Sequence, residues 1–151
     1  MKFRIVILLL IGILSHSLVV AQTEQSEKMK EQEPQTQMDE KEKLVVVWTS
    51  GDPEVAKKMV YMYVYNAKKN DWWKDITFII WGPSSKLLSE NEELQEYIQK
   101  MMDVGVNVEA CKACADLYGV SDDLSKLGID VRYLGKPLTE YIKSERHVIT
   151  F

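Results

Sequence analysis

Histidine and cysteine are scarce in this chain, and their scarcity removes several classes of protein from consideration. The 151 residues include two histidines and two cysteines, and His16 lies in an N-terminal apolar segment, which leaves His147 alone in the remainder. A zinc site takes four ligands from cysteine, histidine or carboxylate side chains, and a Ser-His-Asp site needs a nearby histidine. Neither a GxGxxG pattern nor a Walker A loop occurs. The sequence therefore predicts no metal site and no cofactor.

An excess of basic residues is also absent. Residues 1–21 contain two basic and no acidic residues, so the rest of the chain has 17 basic and 23 acidic residues, a net charge of −6. A nucleic-acid-binding protein needs a basic face for the phosphates. The densest lysines fit one solvated helix face: Lys57, Lys58, Lys68 and Lys69. We expect no nucleic-acid partner.

The first 21 residues have the pattern of a cleavable signal peptide. Lys2 and Arg4 form a basic start, Ile5–Leu14 is an apolar run, and Val19 and Ala21 supply small residues at the spacing of a cleavage site. The alternative is an uncleaved membrane anchor, but spanning a bilayer takes roughly 20 apolar residues. The sequence predicts cleavage after Ala21, a periplasmic or secreted protein, and no membrane attachment afterwards.

Residues 22–43 are predicted to be a disordered polar linker. Met29 and Met38 are their only apolar side chains, so the segment cannot bury enough surface to offset the entropy lost on ordering. We expect a protein that begins near Lys43 to fold like the longer chain. Residues 44–151 are then a single domain, which is the size expected for the remaining length.

Strands and helices alternate along this domain. Leu44–Trp48 and Ile76–Trp81 are continuous apolar runs, as in central parallel strands that are covered on both faces. Three further strands are predicted, at Val106–Ala110, Ile129–Leu134 and His147–Phe151. The alternation predicts an α/β fold, with a mostly parallel sheet between two layers of helices.

Capping residues indicate where the helices begin. Asp52 and Pro53 open a helix that runs to about Lys69, and Ser89 with Glu92 forms a predicted capping box for the next. Shorter helices are predicted at 111–118, at 122–127 and at 138–143. Ligands bind such sheets at the carboxyl ends of the strands, so three loops deserve examination: 49–53, 81–85 and 109–114.

Cys111 and Cys114 form a Cys-x-x-Cys motif where the third strand meets a helix. Unpaired N–H groups at a helix start favour a thiolate, and this spacing is typical of disulfide oxidoreductases. Two alternatives remain: a structural disulfide and a pair of inert buried thiols. A disulfide that encloses two residues stabilises the fold little, so a reactive pair is favoured, with Cys111 the more acidic and the more exposed thiol.

Other candidate site residues lie in the neighbouring loops. Trp81 and Pro83 are predicted beside Cys111, where Trp81 could shield a reactive sulfur from water, although a core position is the commoner role. Ser50 and Asp52 could bind an anionic donor such as thiosulfate, although helix capping is the simpler reading of both.

Three segments together resemble the DsrE/DsrF-like sulfur-relay family, which includes TusD. They are VVVWTSGDPEVAKKM, TFIIWGPSSKLL and GVNVEACKACADLYGV, and the resemblance covers about residues 44–151. It implies a three-layer α/β/α sandwich with a five-stranded sheet, usually assembled into homo-oligomers. It also implies persulfide transfer, with Cys111 at the position of the relay cysteine.

Two features depart from this resemblance. The members that serve tRNA modification act in the cytoplasm, whereas this chain has a predicted export signal, and Cys114 is an additional thiol. Three functions therefore stay open: a sulfur carrier that takes sulfane sulfur from a donor and passes it to an acceptor, a thiol-disulfide oxidoreductase using both cysteines, and a noncatalytic oligomeric binding domain with a structural disulfide.

Overall fold

The computed structural model describes residues 39–151, whose strands form one five-stranded sheet in the order β4-β3-β2-β1-β5. All four strand pairings are parallel. The predicted α/β class is confirmed, and the predicted signal peptide and most of the predicted linker lie outside the described residues. The strands are β1 Lys43–Trp48, β2 Asp75–Ile80, β3 Asn107–Cys111, β4 Asp130–Arg132 and β5 His147–Thr150.

Six helices connect these strands. The first, α1, has an α-helical turn (Pro53–Val55), a π-helical segment (Ala56–Tyr61) and a regular α-helix (Met62–Lys69). The others are α2 Pro83–Glu90, α3 Glu92–Asp103, α4 Lys112–Tyr118, α5 Ser121–Lys126 and α6 Gly135–Lys143. Among the helices between residues 39 and 151, none is long and apolar enough to cross a membrane.

The path of the chain distributes the helices unequally over the two faces. From β1 to β4 each strand is added on the same side of its predecessor, whereas β5 lies on the other side of β1. Because crossovers between parallel strands are right-handed, a reversal of direction moves the connection to the opposite face. Helices α1 to α5 therefore cover one face, and α6 alone covers the other.

The face under α1 to α5 holds the larger core. Trp48, Tyr61 and Phe78 meet there, with ring centroids 5.2 to 6.1 Å apart. Each of these rings is fully buried, as are the inward-facing residues of α1 and α3. Such aromatic contacts add to the stabilisation gained from burial itself, so this face anchors the fold.

The face under α6 holds a smaller apolar cluster that includes both cysteines. Its buried members are Val45, Val47, Ile79, Cys111 and Leu134, and its half-buried members are Trp81, Cys114, Leu138 and Tyr141. No residue within α6 itself is buried. The cover over this cluster is consequently a single, lightly packed helix.

The region after β2 differs from the predicted one. Pro83 opens helix α2, which the sequence analysis did not predict, and the predicted capping box of Ser89 with Glu92 is wrong. Asn91 caps α3 instead, because its side chain accepts the N–H of Leu94 at 3.0 Å. Ser89 is still inside α2, where its hydroxyl donates to a backbone carbonyl of the same helix.

The bounds of β4 and α6 also differ from the predicted ones. The predicted strand Ile129–Leu134 is shorter, because regular pairing covers Asp130–Arg132 only. Helix α6 then begins at Gly135, three residues before the predicted start. Tyr133 and Leu134 lie between the two, and Leu134 is buried in the cluster that contains Cys111.

The folded part of the chain begins before residue 44. A 3-10 turn at Glu40–Glu42 precedes β1, and the carbonyl of Glu42 accepts the N–H of Lys74 at 3.0 Å. Glu40 also forms an ion pair with Arg146 near the other end of the domain, at 2.5 Å. The last residues of the predicted linker 22–43 thus belong to the folded domain.

These contacts predict different effects for two N-terminal deletions. A mature protein shortened to begin at Asp39 should keep its melting temperature, because residues 22–38 carry only two apolar side chains. A protein beginning at Lys43 loses the contacts of Glu40 and should melt roughly 5 °C lower. Thermal denaturation followed by circular dichroism measures both melting temperatures. An equal decrease in the two proteins would contradict the assignment of residues 40–42 to the folded domain.

Candidate functional site

Cys111 is the last residue of β3 and also the N-cap of α4. It lies at the carboxyl end of a parallel strand, where ligand sites occur in such sheets, as the sequence predicted. Its side chain is 3 % exposed, because it faces the cluster under α6. The sulfur therefore sits at a functional position of the fold but inside an apolar cover.

Cys114 lies one turn into α4, and both cysteines are free thiols. The expectation that Cys111 is the more exposed of the two is wrong, because Cys114 is half-buried and Cys111 is buried. Cys111 projects from the sheet towards Leu134, whereas Cys114 lies on a short helix near the surface. A reagent that arrives from solvent meets Cys114 first.

The pKa of the Cys114 thiol is raised above its ordinary value. Burial is the main cause, and a hydrogen-bonding interaction with Cys111 adds to it, while the backbone N–H of Gly82 acts in the opposite direction. Burial and the interaction with Cys111 both favour the neutral form of the Cys114 thiol. Cys114 therefore stays a thiol at neutral pH.

The loop after β2 is held against the end of β1. Trp81 donates its backbone N–H to the carbonyl of Trp48 at 3.0 Å, and the hydroxyl of Ser84 donates to the same carbonyl at 2.6 Å. Ser84, which the sequence analysis missed, is fully buried. As a result, Trp81 packs in the same cluster as both cysteines, as predicted.

The other predicted site residues lie nearby but have local roles. Asp52 caps α1 by accepting the N–H of Glu54 at 2.7 Å, and the hydroxyl oxygen of Ser50 accepts the N–H of Asp52 at 3.1 Å. Pro83 is exposed and approaches Gly51. Asp52 is thus the helix cap and Ser50 holds the backbone of that cap residue, and substrate binding by either residue stays a prediction.

A cleft of about 280 Å³ opens beside this loop. It is lined by Gly51, Pro83, Lys86, Leu87, Glu90 and Tyr118, and neither cysteine lines it. A second cleft of about 260 Å³ lies along the outer side of α4 and α5. Residues 39–151 contain no group of three or more histidine, cysteine, aspartate or glutamate side chains that could hold a metal ion.

A buried polar network lies on the same face as Cys111, and the sequence analysis missed it. Glu109 is 2 % exposed, and its Oε1 lies 2.8 Å from Nη2 of Arg132 and 2.9 Å from Nδ2 of Asn107. The hydroxyl of Tyr141 on α6 donates to the same oxygen at 3.4 Å. A carboxylate in a predicted strand was the available signal, but two of its three partners, Arg132 and Tyr141, come from distant parts of the sequence.

Fold and site together define an α/β protein with a thiol pair at the carboxyl edge of a parallel sheet. The chain matches the DsrE/DsrF-like family over residues 41–151 and therefore belongs to that family. The family resemblance found in the sequence is thus confirmed. Membership indicates a role in sulfur relay in general terms.

Two solved structures are similar to this chain. A conserved protein of unknown function from Bacteroides thetaiotaomicron, BT1422, is 38% identical, with a TM-score of 0.73. The match covers 76% of this chain and 98% of that one. The ychN protein from E. coli is 18% identical over 72% of this chain and 98% of its own, with a TM-score of 0.56, and supports the fold alone. A comparison with curated proteins found no match.

The environment of Cys114 predicts its pH dependence. In a Cys111→Ser variant, burial should still hold the midpoint of Cys114 alkylation above the ordinary thiol value of about 8.5. Because the neutral form is favoured below that midpoint, labelling at pH 7 should be slow despite the partial exposure. Initial rates of iodoacetamide labelling between pH 6 and 10, read by mass spectrometry, test this. A midpoint below the ordinary value would contradict it.

Proposed function

We propose that this protein is an exported sulfur carrier of the DsrE/DsrF-like family that holds a persulfide on Cys111 and passes the sulfur to a partner. The observation that carries the proposal is the position of Cys111. It ends a parallel strand, occupies the N-cap position of a helix and lies with Cys114 inside an apolar cluster. An apolar cover suits a persulfide, since it limits access by water and by stray thiols.

The reaction proceeds by two sulfur displacements and involves no net oxidation. The Cys111 thiolate attacks the outer sulfur of a donor persulfide, R–S–S⁻. A bond forms between the Cys111 sulfur and that outer sulfur, the donor S–S bond breaks, and R–S⁻ leaves. An acceptor thiolate then attacks the outer sulfur of the Cys111 persulfide, and the Cys111 thiolate leaves. Trp81 packs beside both thiols and would help to exclude water during this sequence.

A thiol-disulfide oxidoreductase is the second candidate, and the contact between the two cysteines favours it. If the Cys114 thiolate attacked the inner sulfur of a Cys111 persulfide, a Cys111–Cys114 disulfide would form and hydrosulfide would leave. The raised pKa of Cys114 makes this attack slow at neutral pH. Sulfur carriage is therefore the better-supported function near pH 7.

Mass spectrometry of the intact protein separates these functions. After exposure to thiosulfate or polysulfide, a carrier should gain about 32 Da per bound sulfur, whereas disulfide formation removes about 2 Da. Cys111→Ser should abolish the gain, and Cys114→Ser should prolong it severalfold, because the resolving thiol is absent. Loading that survives Cys111→Ser but fails in Cys114→Ser would reverse the assigned roles. Loading unaffected by either substitution would exclude persulfide carriage on this motif.

Export to the periplasm or the medium is part of this proposal. It is supported by the basic start, the apolar run and the small residues Val19 and Ala21. The mature protein isolated from its native host should begin at Gln22. N-terminal sequencing measures this directly, and a protein that begins at Met1 or Lys2 would overturn the proposal.

The partners proposed are a sulfur donor, a sulfur acceptor and further copies of this chain. Leu117 on α4 is 88 % exposed and Tyr133 after β4 is 68 % exposed, so elements next to the thiol pair carry exposed apolar side chains. Val148 and Ile149 are also exposed, on the edge strand β5. An open edge with exposed apolar residues favours association between copies.

A further inference from the structure

The ion pair between Glu109 and Arg132 lies next to the sulfur that carries the proposed function. Cys111 and Arg132 are register partners on adjacent strands, so their side chains project from the same face of the sheet. Glu109 precedes Cys111 by two residues on β3 and therefore projects from that face as well. A positive and a negative group thus flank the thiol, one across the sheet and one along the strand.

The carboxylate of Glu109 is almost completely removed from water, and its charge is only partly compensated. All its polar contacts are made through Oε1, with Arg132, Asn107 and Tyr141. Its other oxygen, Oε2, is buried with no hydrogen-bond partner among residues 39–151. Charges in such surroundings are screened less than charges at the surface, so the field of Glu109 extends to its neighbours.

The guanidinium of Arg132 remains accessible while it is paired. Its side chain is 39 % exposed, compared with 3 % for Glu109. Its Nε is 2.9 Å from a carboxylate oxygen of Asp130, but the N–H does not point at that oxygen, so Glu109 is the main partner. The pKa of Arg132 is raised, chiefly by the hydrogen bond to Glu109. The guanidinium is therefore always positively charged, and it faces the carboxylate of Glu109.

We infer that Arg132 stabilises the anionic form of the Cys111 sulfur, and that Glu109 limits this effect by holding the guanidinium. Arg132 is a positioning residue in this scheme, because it acts on the charge of the sulfur and forms no bond to the transferred atom. The thiolate must be available to attack a donor and must also be able to leave when an acceptor attacks. A paired guanidinium supplies a moderate positive potential, which suits both steps.

The remaining titratable groups around Cys111 do not supply this potential. Lys112 is partly exposed on α4 and paired with Asp116 at 2.7 Å. Cys114 stays protonated at neutral pH, and Tyr141 on α6 has a raised pKa because of burial. Tyr133 is exposed beside Lys112. The residues of β1 and β2 that pack against Cys111 are apolar.

The inference is tested by titrating Cys111 without any sulfur donor. In a Cys114→Ser background, cysteine labelled with ¹³C at Cβ reports the thiolate fraction by NMR, even for a buried side chain. Glu109→Gln frees the guanidinium and should lower the Cys111 midpoint by about one pH unit. Adding Arg132→Gln to that variant should return the midpoint to within about 0.3 unit of the parent.

Matched controls separate charge from structural damage. Lys112→Gln removes a cation adjacent in sequence but exposed and paired elsewhere, so the midpoint should move by less than about 0.3 unit. If the double variant does not fold, as judged by the dispersion of its amide spectrum, Arg132→Met in the Glu109→Gln background replaces it. An unchanged midpoint in Glu109→Gln, or a lowered midpoint that persists after the arginine is removed, would overturn the inference.

The inference rests on the proposed use of Cys111 as the reacting thiol, but the two fail in different measurements. Absence of a gain of sulfur in the parent protein would overturn the carrier function. Absence of the opposed midpoint shifts would overturn the role of Arg132. The titration involves no transfer step, so the second result does not depend on the first.

Discussion

The handedness of the crossovers determines which face of the sheet carries the thiol. Strands β1 to β4 follow one another in one direction across the sheet, whereas β5 pairs with the other side of β1. Only the connection from β4 to β5 therefore crosses the face opposite to α1 to α5. That connection contains α6, which buries none of its own residues. Cys111 points to this face. Cys111 thus lies on the face that a single helix covers, whereas the larger core on the opposite face stabilises the domain.

This arrangement explains how a buried cysteine can still take part in chemistry. Burial in apolar surroundings disfavours a thiolate and makes most such cysteines inert. Here the register partner of Cys111 on the adjacent strand is Arg132, whose side chain projects from the same face of the sheet. In the proposed scheme the positive charge of Arg132 opposes the effect of burial. Elements with few buried contacts also open at low free-energy cost, and α6 is such an element.

The parts of the fold that the sequence predicted are those that depend on local pattern. The apolar runs of β1 and β2 are sufficient because central parallel strands are buried on both faces. Helix α3 was predicted with the wrong cap, since Ser89 and Asn91 are both good capping residues and only Asn91 has an extended backbone, at φ −125°. Helix α2 was not predicted, although Pro83 stands at its first position, where proline is favoured.

The polar side of the site could not be predicted from pattern, because it depends on strand register and on a helix from the end of the domain. A buried carboxylate such as Glu109 is tolerated only when several donors meet it. Asn107 lies on the same strand as Glu109, but Arg132 on β4 and Tyr141 on α6 are distant in the sequence and meet the carboxylate only in the fold. The same contacts tie α6 to the sheet through Tyr141. Polar contacts to one carboxylate, together with a few half-buried apolar residues, therefore hold the cover over Cys111, and the group that adjusts the charge at the sulfur also helps to keep it enclosed.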